Sequence, residues 1–285
     1  MPAPDTPSSP AARRAALVWA LALAAGGVGV FLFAGTLRWL AQGWWGSEYY
    51  THGPLVAGLA GWLAWRRLRQ IQPAPTWVGL ALIAAALLGH LAALWSRTAV
   101  GSAFALLLAL AGLALWWGGW PALRAGLFPL AFAALAIPLP FVDAWAYPLQ
   151  VVSARAAAAL ANLVGVPATF QGGQVALPSC SLVVGAPCSG LRSLVSLTAL
   201  GVLAAWALEG PLWGRLALVA AAIPLAWLGN VLRVTALLAA AHLWGLEVAM
   251  GAVHTASSPL AFMLSVGLLL AVAWGVRCRA LRPDL

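Results

Sequence analysis

The 285-residue chain contains no lysine and only six acidic residues. Charged residues make up 7% of it, against about 25% in an ordinary soluble domain. That shortage excludes a water-facing surface of the usual kind. Cysteine is scarce too: Cys180, Cys188 and Cys278, at no repeated spacing. An odd number without a pattern excludes a disulfide framework and a structural zinc site, although Cys180 and Cys188 can pair if they share an oxidising compartment. No metal or cofactor is implied. No internal repeat is visible.

What the chain has instead is apolar length. It is 64% hydrophobic with mean hydropathy +0.95. Apolar runs recur at roughly 20 residues, as an approximately 30 Å hydrocarbon layer requires. The net charge of +9 comes entirely from arginine, clustered in short segments between those runs. Membrane topology explains such clusters, so the expected partner is the lipid bilayer and no nucleic acid. The fold class expected is an all-α polytopic membrane protein. About eight transmembrane helices follow from the arginine bias, with a small extracytoplasmic helix/β-hairpin insert.

In order, residues 1–14 read as a disordered cytoplasmic N-terminus and 15–285 as a single transmembrane domain. Residues 15–37 are too long for a signal peptide and form an uncleaved first span. The further spans expected are 54–65, 76–95, 99–117, 125–137, 189–208, 216–232 and 255–276. Arg66, Arg67, Arg69, Arg124, Arg215, Arg277, Arg279 and Arg282 mark the cytoplasmic side. Both termini then face the cytoplasm. The outer insert covers 141–187: an interfacial helix over 147–164, then alternation around Gly172-Gly173 that suggests a β-hairpin. It is the one region that reads as strand. Residues 234–244 are ambiguous, either part of a hairpin or a tilted extension of the seventh span.

Polarity concentrates at a few points. Cys188 stands in Gly185-Ala186-Pro187-Cys188-Ser189-Gly190-Leu191-Arg192-Ser193-Leu194, where a polar segment becomes a span. A helix start offers free N–H groups to a thiolate and to an oxyanion. The bland alternative is a small apolar filler. Arg233 is followed by more apolar sequence, which suggests that it lies at depth, where an arginine is functional by default. The alternative is an interfacial anchor that snorkels. Asn230 shares its helix face. His254 heads the last span and has the titration range of a general base. Ser189, Gly190 and Arg192 adjoin the cysteine, and Tyr50 and His52 in the first outer loop can line the same site. His90 and His242 read as packing residues.

These residues resemble the exosortase/archaeosortase family, membrane-embedded sortase-like cysteine transpeptidases. The resemblance rests on Cys188-Ser189-Gly190-Leu191-Arg192-Ser193-Leu194, Asn230-Val231-Leu232-Arg233-Val234 and His254. It extends to Tyr50-Thr51-His52-Gly53-Pro54 and to the segment from Phe128-Pro129 to Pro138-Leu139-Pro140. Thr51 stands where the family usually has serine. The resemblance implies a catalytic set of Cys188, Arg233 and His254. It implies substrates with C-terminal sorting signals (PEP-CTERM-like): a short motif, a transmembrane helix and a basic tail. Cleavage would take place on the outer face of the inner membrane, with transfer to an exopolysaccharide or lipid-linked acceptor. The alternative is a non-catalytic transporter or exopolysaccharide-assembly component. A transporter spreads polar residues along a pathway and often shows repeat symmetry; here polarity gathers at one face.

Overall fold

A computed structural model describes residues 26–172, 174–185 and 189–283. Cys188 and the expected disordered segment 1–14 lie outside the described residues. The chain is mostly helical. Residues 26–32 are helical and the path breaks at Phe33. Then come α1 (Ala34–Gly46), α2 (Gly53–Leu68), α3 (Trp77–Trp95), α4 (Ala99–Ala133) and α5 (Pro140–Leu163). A three-stranded sheet follows: β1 (Thr169–Gln171), β2 (Gln174–Ala176) and β3 (Ser181–Val183). The rest is α6 (Leu191–Ala207), β4 (Leu208–Glu209), α7 (Leu212–Trp244), α8 (His254–Gly275) and β5 (Ala280–Leu281).

Among the described residues four helical stretches are long and apolar enough to cross a membrane. They are Trp77–Trp95, Ala99–Ala136, Leu212–Trp244 and Leu246–Gly275. This is a multi-pass helical membrane protein. Ala99–Ala136 covers the two spans expected at 99–117 and 125–137, two helices that meet at a kink. The bend is Gly119, at φ 63° and ψ −158°, where a side chain would also press on the Ala74 carbonyl at 2.7 Å. Leu108 and Ala111 from one half line an apolar groove of about 540 Å³ with Leu123 and Leu127 from the other. The two halves therefore fold back beside each other.

Several expected boundaries move. The first helix does not stop at residue 37: α1 runs to Gly46 and takes Trp44 and Trp45 with it. The Trp44 indole donates to the Ala136 carbonyl at 2.7 Å, and Gly53 lacks the side chain that would collide with that indole. These contacts tie α1 and the start of α2 to the end of α4.

The expected interfacial helix over 147–164 begins earlier, at Pro140, and lies against α7 through a face of small residues. Ser153, Ala154, Ala157, Ala158 and Ala161 are all buried. Thr235 donates to the Ala157 carbonyl at 3.4 Å. Arg155 is on the exposed face.

The seventh span does not end at residue 232. α7 continues without a break to Trp244, so 234–244 is its extension. At about 1.5 Å per residue the helix is roughly 50 Å long, well beyond a hydrocarbon layer of about 30 Å. Its second half packs on protein. Val234, Leu237, Leu238, Ala240 and Ala241 share a core with α5 and with Val175, Leu182 and Val184 of the sheet segment. The apolar run after Arg233 is thus accounted for by a protein core, and gives no ground for placing Arg233 deep in lipid.

In the sheet, β1 and β2 form the hairpin that the alternation around Gly172 suggests, with Phe170 opposite Val175. β3 adds a third antiparallel strand, with Leu182 opposite Val175. Strand structure is not confined to this region, as β4 pairs with β5 in a short second ladder. That ladder closes the opposite end of the molecule over Cys278, which is buried.

Candidate functional site

Four elements meet where α6 begins. Gly190 precedes the helix at φ +81°, a left-handed conformation that glycine adopts without steric cost. A side chain there would also strike Asn230 at 2.8 Å. Only glycine meets both demands, so the Ser189-Gly190 turn lies directly on α7. Ser189 is buried, and its hydroxyl accepts from the Leu191 N–H at 3.3 Å.

Asn230 and Arg233 are one helical turn apart on α7, and both are buried. The Arg233 Nη2 donates to the His254 Nε2 at 3.3 Å. A guanidinium has no acceptor, so this contact requires Nε2 to carry a lone pair, which makes His254 the Nδ1–H tautomer. The Arg233 Nε donates to the Ser257 Oγ at 3.4 Å, and Ser257 in turn donates to the His254 carbonyl at 3.1 Å. His254 reaches this position because the chain turns sharply just before α8. A π-helical turn, Ala249–Val253, is broken at Gly251 with φ −88° and ψ −107°.

The other side of the site comes from the first loop. Tyr50 is buried against Val142 and Leu191, the first residue of α6. Its hydroxyl accepts from the Leu139 N–H at 3.0 Å, and its ring stacks on His52 with centroids 5.8 Å apart. His52 precedes α2. Burial holds its imidazole below the ordinary histidine range, and the nearby Leu135 and Tyr49 carbonyls offset this only in part. Arg192 is exposed, and its Nε donates to the Glu48 carbonyl, tying the start of α6 to this loop.

The structure therefore brings Ser189, Gly190, Asn230, Arg233 and His254 together, with Tyr50 and His52 across the start of α6. Ser257 was not legible as a site residue in advance. The available signal was a Ser257-Ser258 pair in the first turns of a mostly apolar helix, three residues past His254. His90 is buried as expected and its contacts lie elsewhere: its Nδ1 is 2.7 Å from the Ser102 hydroxyl, which also bonds Thr36. His242 is exposed and is not a packing residue. Cys180 and Cys278 carry free thiols. Among the described residues no group of three or more His, Cys, Asp or Glu side chains could hold a metal ion.

A helical membrane bundle with a capped polar site at one end defines the class. The model described as Transmembrane exosortase (Exosortase_EpsH) matches residues 44–271, so the chain belongs to the transmembrane exosortase family. Neither a curated protein nor a solved structure matches it significantly.

Proposed function

We propose that the protein is a membrane-embedded cysteine protease and transpeptidase that cleaves C-terminal sorting signals of exported proteins. The observation that carries this is the Arg233–His254 contact at 3.3 Å, one helical turn from the Asn230 that seats Ser189-Gly190. Cys188 is the next residue in the chain. In this reading the bundle makes about eight crossings by the arginine bias, with the site on the outer face of the inner membrane.

The Cys188 thiol gives its proton to the His254 Nε2, and the thiolate attacks the scissile carbonyl carbon. Protonation at Nε2 removes the lone pair that Arg233 engages. It frees the guanidinium Nη2 for the oxyanion as that charge develops. The imidazolium then protonates the leaving amine, the C–N bond breaks and a thioester remains. Water, or an exopolysaccharide or lipid-linked acceptor, resolves it. Asn230, Tyr50, His52, Ser189, Gly190 and Arg192 support the site.

The test is co-expression with an exported reporter that ends in a short sorting motif, an apolar helix and a basic tail. Cys188→Ala should abolish processing and also labelling by a small thiol reagent at that residue. Cys188→Ser should be nearly as inactive, since a hydroxyl is far harder to deprotonate. Cys180→Ala and Cys278→Ala should process normally. Processing by Cys188→Ala would sink the assignment and leave a membrane component that shares the fold without the chemistry.

A further inference from the structure

The strand that leads towards the cysteine segment has an edge that the described chain does not use. β3 pairs with β2 on one side, and no described strand lies on the other. β1, at the opposite edge of the sheet, packs on α5. In an antiparallel pair, residues alternate between exchanging hydrogen bonds with the partner and turning those groups away. The Leu177 N–H donates to the Cys180 carbonyl at 2.7 Å, which fixes the phase of the alternation. Along the register Ala176 to Ser181, Val175 to Leu182 and Gln174 to Val183, Leu182 then turns its groups to β2. Ser181 and Val183 turn theirs outward. The Val183 carbonyl accepts from the Gly185 N–H at 3.1 Å. Among the described residues no hydrogen bond occupies the Ser181 N–H, the Ser181 carbonyl or the Val183 N–H.

The side chains follow the same alternation. Leu182 and Val184 are buried in the core under the sheet, Ser181 is exposed, and Val183 is 58% exposed. An apolar side chain on a free strand edge is what natural sheets usually avoid. Here it sits five residues before Cys188.

We propose that the β3 edge is the docking strand for the substrate's extended cleavage segment, which joins the sheet as a fourth strand. This rests on the function proposed above. The occupant follows from position: Val184, which follows the strand, shares a core with Val231, the neighbour of the Asn230 on which Gly190 rests, so a peptide paired along Ser181–Val183 lies close to the described part of the site. An extended peptide brings N–H and C=O groups at the spacing of β3, so backbone pairing supplies affinity. Val183 adds an apolar contact, and favours an apolar substrate side chain facing it.

The test uses the full-length protein in membranes with the reporter described above. Val183→Pro deletes one outward N–H and keeps the carbonyl. Proline is tolerated on a strand edge, and Leu182 is already extended. Processing should slow by about fivefold or more, the worth of a hydrogen bond of about 1 kcal/mol. Val183→Thr keeps the N–H and should process within about twofold of wild type. Equal labelling of Cys188 in Val183→Pro and wild type would show that the slowing is not misfolding. A photocrosslinking residue at 183, with Cys188→Ala to hold the reporter uncleaved, should capture the reporter just before its apolar helix. Wild-type processing by Val183→Pro overturns the proposal. So does crosslinking to a second copy of this chain, or to nothing. If the wild type leaves the reporter uncut, or Cys188→Ala cuts it, the proposed function fails instead, and capture at 183 still reports on the strand.

Discussion

Among the described residues the rigid fork of Arg233 reaches His254 through Nη2 and Ser257 through Nε. Lysine carries a single point charge and cannot span both. Arg233→Lys should therefore lower the rate of reporter processing on the order of 10- to 100-fold while the protein still inserts. Near-normal processing by that variant would favour an interfacial anchor. Ser257 acts one step further out, since it holds the guanidinium and also bonds the His254 carbonyl. Ser257→Ala should slow processing by about tenfold, the worth of one hydrogen bond to a charged group, and Ser257→Thr should restore most of it. Both are read from the same time course of reporter cleavage. Equal rates in Ser257→Ala and wild type would show that Arg233 is oriented without the hydroxyl.

The element that sets the site is the start of α6, seated on α7 through Gly190. Gly190→Ala would place a methyl group against Asn230 and also strain a left-handed residue by about 1–2 kcal/mol. Gly165 separates the two effects, because it has φ +85° with nothing within 4 Å of a side chain. Gly165→Ala should lower the melting temperature of the detergent-purified protein slightly and leave processing intact. Gly190→Ala should lose most processing. If the two variants behave alike, the Asn230 contact does not matter. The seat depends on α7 being a single continuous helix. Arg233 comes just before the half that α5 and the sheet bury, so the cap fixes its backbone. Hydropathy could not reveal this. Residues 234–244 are as apolar as a span, and an apolar face is satisfied equally by lipid or by Ala154, Ala157 and Val184.

At the scale of the whole molecule, polarity separates along the helix axes. α2, α6 and α8 begin at the site end, with His52, Gly190 and His254 at or next to their first residues. Arg66 and Arg67 lie in the last turn of α2, and Arg277 and Arg279 follow α8. The Arg67 guanidinium stacks over Trp206 near the end of α6, and Arg279 over Trp274. α7 runs the other way, from Arg215 towards Arg233. A reporter enzyme fused after Gln174 should therefore behave as exported, and one fused after Arg69 as cytoplasmic. The reverse pattern would move the proposed site to the wrong side of the membrane. Much of this was legible in the chain. Run lengths near 20 residues, arginine placement and the order of the Cys188, Arg233 and His254 motifs pointed to a membrane bundle with arginine clusters at one end and the candidate site residues at the other. They did so because transfer into lipid depends on local composition. Only the tertiary structure decided that the Arg233 guanidinium meets the His254 imidazole. It also decided that Ser257 supports it, that α7 continues past Arg233 into a protein core and that no described strand covers the β3 edge. Each depends on a bend or a seat set by packing between distant segments, at Gly251, Gly190 or the α5–α7 face, and no local pattern encodes those distances.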